Sequence, residues 1–402
     1  MVNQASQSMA VSRQITDLFD KPETAGNANS GADNANTFDL RRTYLTVKGN
    51  YRNTSFEATY NGTGSTGAVG IKYYWLEYKF SDAAKLRFGQ FKTPMGLETL
   101  TSSRFNDFTE RDFTSALQAS INKGIMLHGV PMAGVTYAAM VSNGGQKYEA
   151  GETAIETSNN MDGKSYTGRL TANIAEMIGN KEAIMHVGGS YGYDGNLATG
   201  SYDLVSMRTN ARGLTFFKGN NDATGTLFAN GLNMTRYGLE GIGAYGPVKV
   251  QAEFVNAEFD SKTDGVADRD MEAYYVGASW MVTGEKYADS YKNGLFDRMS
   301  PKNNFTGFNG EAGSGWGAWE LGLRYSHFDA TDFVAKNSSS DIFTNKASSY
   351  TAGVKWIADP NTRFLLNYIY TDFDTPVSGG FATRPTTVGN EKAINFRAQF
   401  DF

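Results

Sequence analysis

The chain has 402 residues and a formal net charge of -5, with 45 Gly, 26 Phe, 22 Tyr, 3 His and no Cys. The absence of cysteine removes disulfides, thiolate zinc sites and cysteine nucleophiles, and the negative balance argues against nucleic acid as a partner. No apolar run approaches the roughly 18 residues that a membrane-spanning helix needs, because the richest stretch, 125–141, is interrupted by His128 and Pro131.

Along the chain, the start Met1-Val2-Asn3-Gln4 lacks the basic and apolar segments of an export signal. The reading is an exported chain whose signal has been removed; the alternative is a chain that is not exported. Alternating apolar and polar residues then predict strands near 7–18, 37–48, 51–61, 69–80, 84–91, 123–130, 133–143, 163–174, 183–193, 233–245, 247–259, 270–283, 315–328, 346–357, 362–373 and 390–402. The first alternates poorly and is required by parity. The last is the clearest: Ile394, Phe396, Ala398, Phe400 and Phe402 share one face, and Asn395, Arg397, Gln399 and Asp401 the other. Val248, Val250, Ala252 and Phe254 alternate in the same way with Lys249, Gln251 and Glu253, as do Trp319, Leu321 and Leu323 with Glu320 and Arg324. A strand with one apolar and one charged face borders lipid outside and water inside. The fold expectation is therefore all-β: a transmembrane antiparallel barrel of sixteen strands, one domain over 1–402, in a bacterial outer membrane.

If the last strand runs toward the periplasm, parity assigns short periplasmic turns to Lys48-Gly49-Asn50, 81–83, Val130-Pro131-Met132, Gly246-Pro247 and 358–361. The outer loops become 19–36, 62–68, 92–122, 144–162, 194–232, 260–269, 329–345 and 374–389. Segment 284–314 breaks the pattern. It is a long connection on the periplasmic side, so it either hides strands or folds into the lumen.

Several segments resemble the phosphate-selective porin O/P family. They are the double-arginine strand Phe38-Asp39-Leu40-Arg41-Arg42-Thr43-Tyr44-Leu45, then Phe88-Gly89-Gln90-Phe91-Lys92-Thr93-Pro94 with Leu97-Glu98 and Glu110-Arg111. Tyr245-Gly246-Pro247, Trp319-Glu320-Leu321, Trp356-Ile357-Ala358-Asp359-Pro360-Asn361 and the ending Arg397-Ala398-Gln399-Phe400-Asp401-Phe402 follow in family order. The resemblance implies a homotrimeric porin with loops folded into each lumen, passing small hydrophilic solutes with some preference for anions such as phosphate. Lipid and solute are the partners implied; no cofactor, metal or catalytic residue is.

Anion selection needs fixed positive charge at a narrow, poorly solvated point. The constriction loop implied, 92–122 with Lys123 at its end, holds Lys92, Arg104, Arg111 and Lys123 against Glu98, Asp107, Glu110 and Asp112, a net charge of zero. Segments 194–232 and 284–314 balance as well. The inward wall is more basic: Lys79, Lys85, Arg87, Arg169, Arg236, Lys249, Arg324, Lys355, Arg363 and Arg397 face Glu57, Glu77, Glu240, Glu253, Glu320 and Asp401. One of Arg41 and Arg42 joins them, since strand neighbours face opposite ways. This predicts a weak anion preference. The charges Glu98, Glu110 and Arg111 are expected chiefly to pin the loop to wall arginines.

Other motifs are better read as structure. Gly241-Ile242-Gly243-Ala244-Tyr245-Gly246 fits a dinucleotide fingerprint, but Pro247 and a strand follow where a helix is required. His128, His186 and His327 lack metal-ligand spacing, and wall or interface positions explain them. Of the cluster Tyr73, Tyr74, Trp75 and Tyr78, the members Tyr74 and Tyr78 fit a lipid-facing girdle, and an inward Trp75 is a candidate solute contact. The rival to a channel is a plugged barrel, acting as an adhesin or as the sheath of an electron-transfer complex.

Overall fold

The computed structural model describes residues 2–17, 34–63, 70–143, 163–197, 205–219, 230–307, 315–333, 335, 337, 342–378 and 387–402. Its strands are β1 Val2–Asp17, β2 Asn34–Tyr51, β3 Thr54–Thr63, β4 Gly70–Lys79, β5 Lys85–Lys92, β6 Ile121–Met132 and β7 Val135–Asn143. They continue with β8 Lys164–Asn173, β9 Ala183–Leu197, β10 Val205–Arg208, β11 Thr215–Gly219, β12 Leu232–Tyr245, β13 Val248–Ser261 and β14 Arg269–Met281. The last are β15 Tyr291–Lys292, β16 Leu295–Phe296, β17 Ala318–Asp329, β18 Lys346–Ile357, β19 Thr362–Ser378 and β20 Thr387–Asp401. Sixteen strands pair antiparallel in chain order, and β1 pairs with β20, Met9 opposite Phe400, closing a barrel. The pairs β10–β11 and β15–β16 are separate hairpins.

The sixteen barrel strands lie where the alternation predicts them, for the reason it gives. Phe396, Leu321 and Val250 stand on the outside, 41%, 41% and 47% exposed, while Arg397, Glu320 and Lys249 are buried within. Two aromatic rows encircle β17–β19. Trp319, Trp356 and Phe364 stack at 5.5 and 5.3 Å, and Tyr325, Tyr350 and Tyr370 follow at 5.2 and 6.2 Å. In each strand the two rows are separated by six residues, about 20 Å of strand, which is the scale of an outer-membrane apolar band and its interface girdles. Tyr74 and Tyr78 also face outward.

Two expected turns are displaced. β2 runs past Lys48-Gly49-Asn50 to Tyr51, held by a Lys48–Glu57 ion pair at 3.2 Å, and the chain reverses at Arg52-Asn53, with Arg52 at φ 54. β6 runs through Val130-Pro131-Met132 and reverses at Ala133-Gly134, with Gly134 at φ 77. Two-residue hairpins demand left-handed backbone, and Pro131 is accommodated by a register shift between Gly129 and Met132. The turns at Gly246-Pro247 and 358–361 stand as expected. Of the expected outer loops, 144–162 lies wholly, 19–36 and 62–68 mostly, and 194–232, 329–345 and 374–389 partly outside the described residues.

The lumen is partly filled. Segment 93–120 enters it with helices α1 Leu97–Leu100 and α2 Thr114–Leu117. The β10–β11 hairpin joins from the same end, and Phe216 packs edge-on against Phe113 and Phe328 at 5.5 and 5.7 Å. From the other end the long connection after β14 brings Tyr287 and Phe296 against Leu97, Ile242 and Ile357. That connection therefore folds inward and carries the small β15–β16 hairpin. The inner face of β13 follows this filling: it is polar at Lys249, Gln251 and Glu253, then apolar at the fully buried Val255, Ala257 and Phe259.

Candidate functional site: the lumen and its constriction

Loop 93–120 is fastened to one side of the wall through its acids and its backbone. Lys249 Nζ donates to both carboxylate oxygens of Asp107 at 2.7 Å and lies 4.3 Å from the Phe296 ring centroid. Lys355 reaches Glu320 at 2.9 Å and Asp107 at 3.7 Å. Arg324 donates to Glu98 Oε1 at 3.1 Å and to the Glu110 carbonyl at 3.3 Å, with Asp112 3.8 Å away. Arg363 and Arg397 each donate at 2.8 Å, to the carbonyls of Arg104 and Thr109. Glu253 accepts the first two amides of α1, those of Leu97 and Glu98, at 2.8 and 2.7 Å. Lys92 Nζ donates to the carbonyls of Thr99, Leu100 and Thr101 at 2.6–3.1 Å, closing the other end of that turn. Wall bases expected to face the solute path thus hold the loop instead.

The double arginine departs from the expectation that one member faces out. A register shift leaves Arg41 as the extra residue of a β-bulge in β2, between Leu40 opposite Val11 and Arg42 opposite Ala10. Both side chains are consequently buried on the lumen side. Arg41 Nε donates to Glu110 Oε1 at 2.9 Å. Burial alone would raise the Glu110 carboxyl, but Arg41, Arg212 and Arg42 overcome it and hold the group well below the usual carboxylate range. Glu98 goes the other way: burial, abetted by the charge of Asp112, pushes it up to about 7 despite Arg324.

The opposite side of the lumen is open. A cavity of about 450 Å³ lies against β2–β8, and the wall lines it with Lys48, Lys72, Lys85, Arg87 and Arg169. Lys92 at the end of β5 and Arg104 and Arg111 of the loop complete it, and Glu57 is the single acid of that lining. Loop 93–120 carries four acids and two bases, unevenly placed: Glu98, Asp107 and Asp112 turn to bases on β13, β17 and β18, Glu110 turns to Arg41 on β2, and Arg111 faces the cavity. Arg111 does not reach the wall as expected: from the cavity side it donates to the loop's own Glu98 and Thr101 carbonyls at 3.1 and 3.2 Å.

Three expected positions move. Lys123 belongs to β6, not to the loop, and stands on the outer face beside Ile125, because the strand begins at Ile121. Lys79 lies at the turn, paired with Asp82 at 2.6 Å. Arg236 pairs with Asp194 and does not line the cavity. Two cavity bases escaped the alternation. Lys48 lies in the extension of β2, and Lys72 turns inward at a second bulge, where Thr59 pairs with Tyr73 and Tyr60 with Ile71. His128, His186 and His327 stand apart on β6, β9 and β17; His128 lines the cavity and meets Glu77 at 2.8 Å. The 241–246 glycine motif is the end of β12 and its turn into β13.

A closed barrel with an apolar belt outside and charged groups around an inner cavity defines an outer-membrane channel. The family model for phosphate-selective porins O and P matches residues 23–402, and the chain belongs to that family. It is 24% identical to Porin O of Pseudomonas aeruginosa over 378 residues, which cover 87% of this chain and 82% of that one. Among solved structures, Pseudomonas putida OprB at high pH aligns with a TM-score of 0.58 and 10% identity, covering 99% of this chain and 94% of that one. The outer-membrane channel DcaP of Acinetobacter baumannii gives 0.55 at 10% identity over 99% and 96%. The trimer form of Vibrio cholerae OmpT gives 0.53 at 11% identity over 99% and 100%. The protein is a bacterial outer-membrane porin that lets small solutes diffuse, a channel rather than an enzyme.

Proposed function

We propose that this porin prefers anions, phosphate among them, that loop 93–120 is its constriction, and that the working unit is a homotrimer of single-domain barrels. The family's description and the name of its relative support phosphate as a solute, and the trimer form of OmpT supports the assembly. The observation that carries the selectivity is the excess of bases around the open cavity. Eight lysines and arginines and one glutamate line the open cavity, and although Lys48, Arg87 and Arg169 pair with Glu57, Glu77 and Glu240, the bases outnumber the acids that reach them. A low-dielectric wall focuses such a field and raises the local concentration of anions.

The test is the reversal potential of the purified protein in a planar bilayer under a potassium chloride gradient. An anion-selective sign is expected. A cation-selective sign refutes the charge argument and leaves the fold intact, and absence of conductance would favour the plugged barrel.

A further inference from the structure

One part of the cavity wall is not explained by small inorganic anions. Trp75, Phe91, Met126, Ala138 and Met140 form an apolar cluster on the inner faces of β4–β7, separate from the packed core beneath the loop. Water-filled lumens are otherwise lined by polar groups. Trp75 is only partly buried, and the Arg87 guanidinium lies over its ring at 4.1 Å. Arg87 is kept there by Glu77, to which its Nε donates at 2.8 Å. Across the wall from Trp75 the paired positions are Gly89 and then Gly124. A Cβ on Gly89 would come within 2.1 Å of the Tyr74 carbonyl oxygen, and one on Gly124 within 2.2 Å of the Val141 carbonyl oxygen. The wall beside the indole is therefore two strands wide without a side chain. Flat apolar surface, a guanidinium plane and a low-relief strip meet in a cavity rich in lysine and arginine.

We propose that this strip is a binding step for organic anions with a flat aromatic body, such as aromatic phosphates and carboxylates. The ring stacks on the Trp75–Arg87 pair, and the charged group is held by the bases of the same cavity. Cation–π and ring stacking add to the electrostatic attraction without requiring a shape specific to one solute. The inference rests on the anion preference proposed above and adds the solute class.

The experiment compares block of the chloride current through the full-length channel by phenyl phosphate and by inorganic phosphate. Phenyl phosphate is expected to half-block at a concentration roughly ten-fold lower, the ratio expected from one favourable stacking contact. Trp75→Ala should abolish that difference and leave block by inorganic phosphate within about two-fold, while Trp75→Phe retains most of it. Equal block of the wild-type channel by both anions overturns the inference, and this comparison does not depend on any variant folding. Equal weakening of both by Trp75→Ala also overturns it, since the indole would then serve only to hold Arg87. A cation-selective reversal potential would instead remove the reading beneath it.

Discussion

The two sides of the barrel wall carry the same kinds of residue and use them differently. Along β13–β20, Lys249, Arg324, Lys355, Arg363 and Arg397 end on the loop's carboxylates and carbonyls or on the wall's own acids, in a packed interior. Along β2–β8, Lys48, Lys72, Lys85 and Arg87 border an open cavity, Lys48 and Arg87 while paired with Glu57 and Glu77 and Lys72 while donating to the Tyr44 hydroxyl. The strands themselves do not differ in alternation. The loop does, because its Glu98, Asp107 and Asp112 project toward β13–β18 and Glu110 toward Arg41 on β2, while Arg111 lines the cavity. Net charge is then a poor guide to the field in a pore, since the partner's position decides which charges a solute meets.

The largest effect is expected on the packed side. Arg324→Ala leaves Glu98 and Asp112 buried without their shared cation, a change of about 3–5 kcal/mol. Denaturant midpoints should fall, and single-channel conductance should rise as the loop leaves the wall; an unchanged conductance would show that other anchors suffice. A smaller effect separates two carboxylates of one loop by pH. The Glu98 pKa is raised to about 7, so its contribution is complete below the ordinary glutamate range and is lost as pH climbs through about 7. That of Glu110 is depressed, so its contribution is present above the ordinary range and is lost as pH falls beneath it. Raising the pH from 5 to 8 should loosen the α1 end of the loop, seen as added current noise, and Glu98→Gln should remove that response. On the open side, Lys85→Gln should shift the reversal potential toward zero with little change in unfolding midpoint. A large loss of stability there would erase the distinction between the two sides.

Much of this was legible in the sequence because lipid and water impose a period of two on every strand. The sixteen strands and the inward Trp75 follow from that rule and from parity, and for the long connection after β14 it leaves two readings, hidden strands or folding into the lumen, both of which the inward β15–β16 hairpin meets. Arg41 and Lys72 were not legible, because a bulge adds one residue and turns the next side chain to the other face without leaving any mark in composition. Val255, Ala257 and Phe259 were also unreadable. An apolar residue facing inward contradicts a water-filled lumen, and only the β10–β11 hairpin and α2, brought from distant sequence, make that region dry. The placement of the loop's charges is of the same kind, since the segment shows no direction until its anchors on β13, β17 and β19 are in place.

The seam of the cylinder joins β1 to β20, with Ser8–Asp17 running beside Lys392–Asp401. The first strand made therefore waits for the last one, and two bare edges persist until the whole polypeptide has been delivered. A chain cut short of β20 would leave an open sheet whose unpaired margins can pair with other chains.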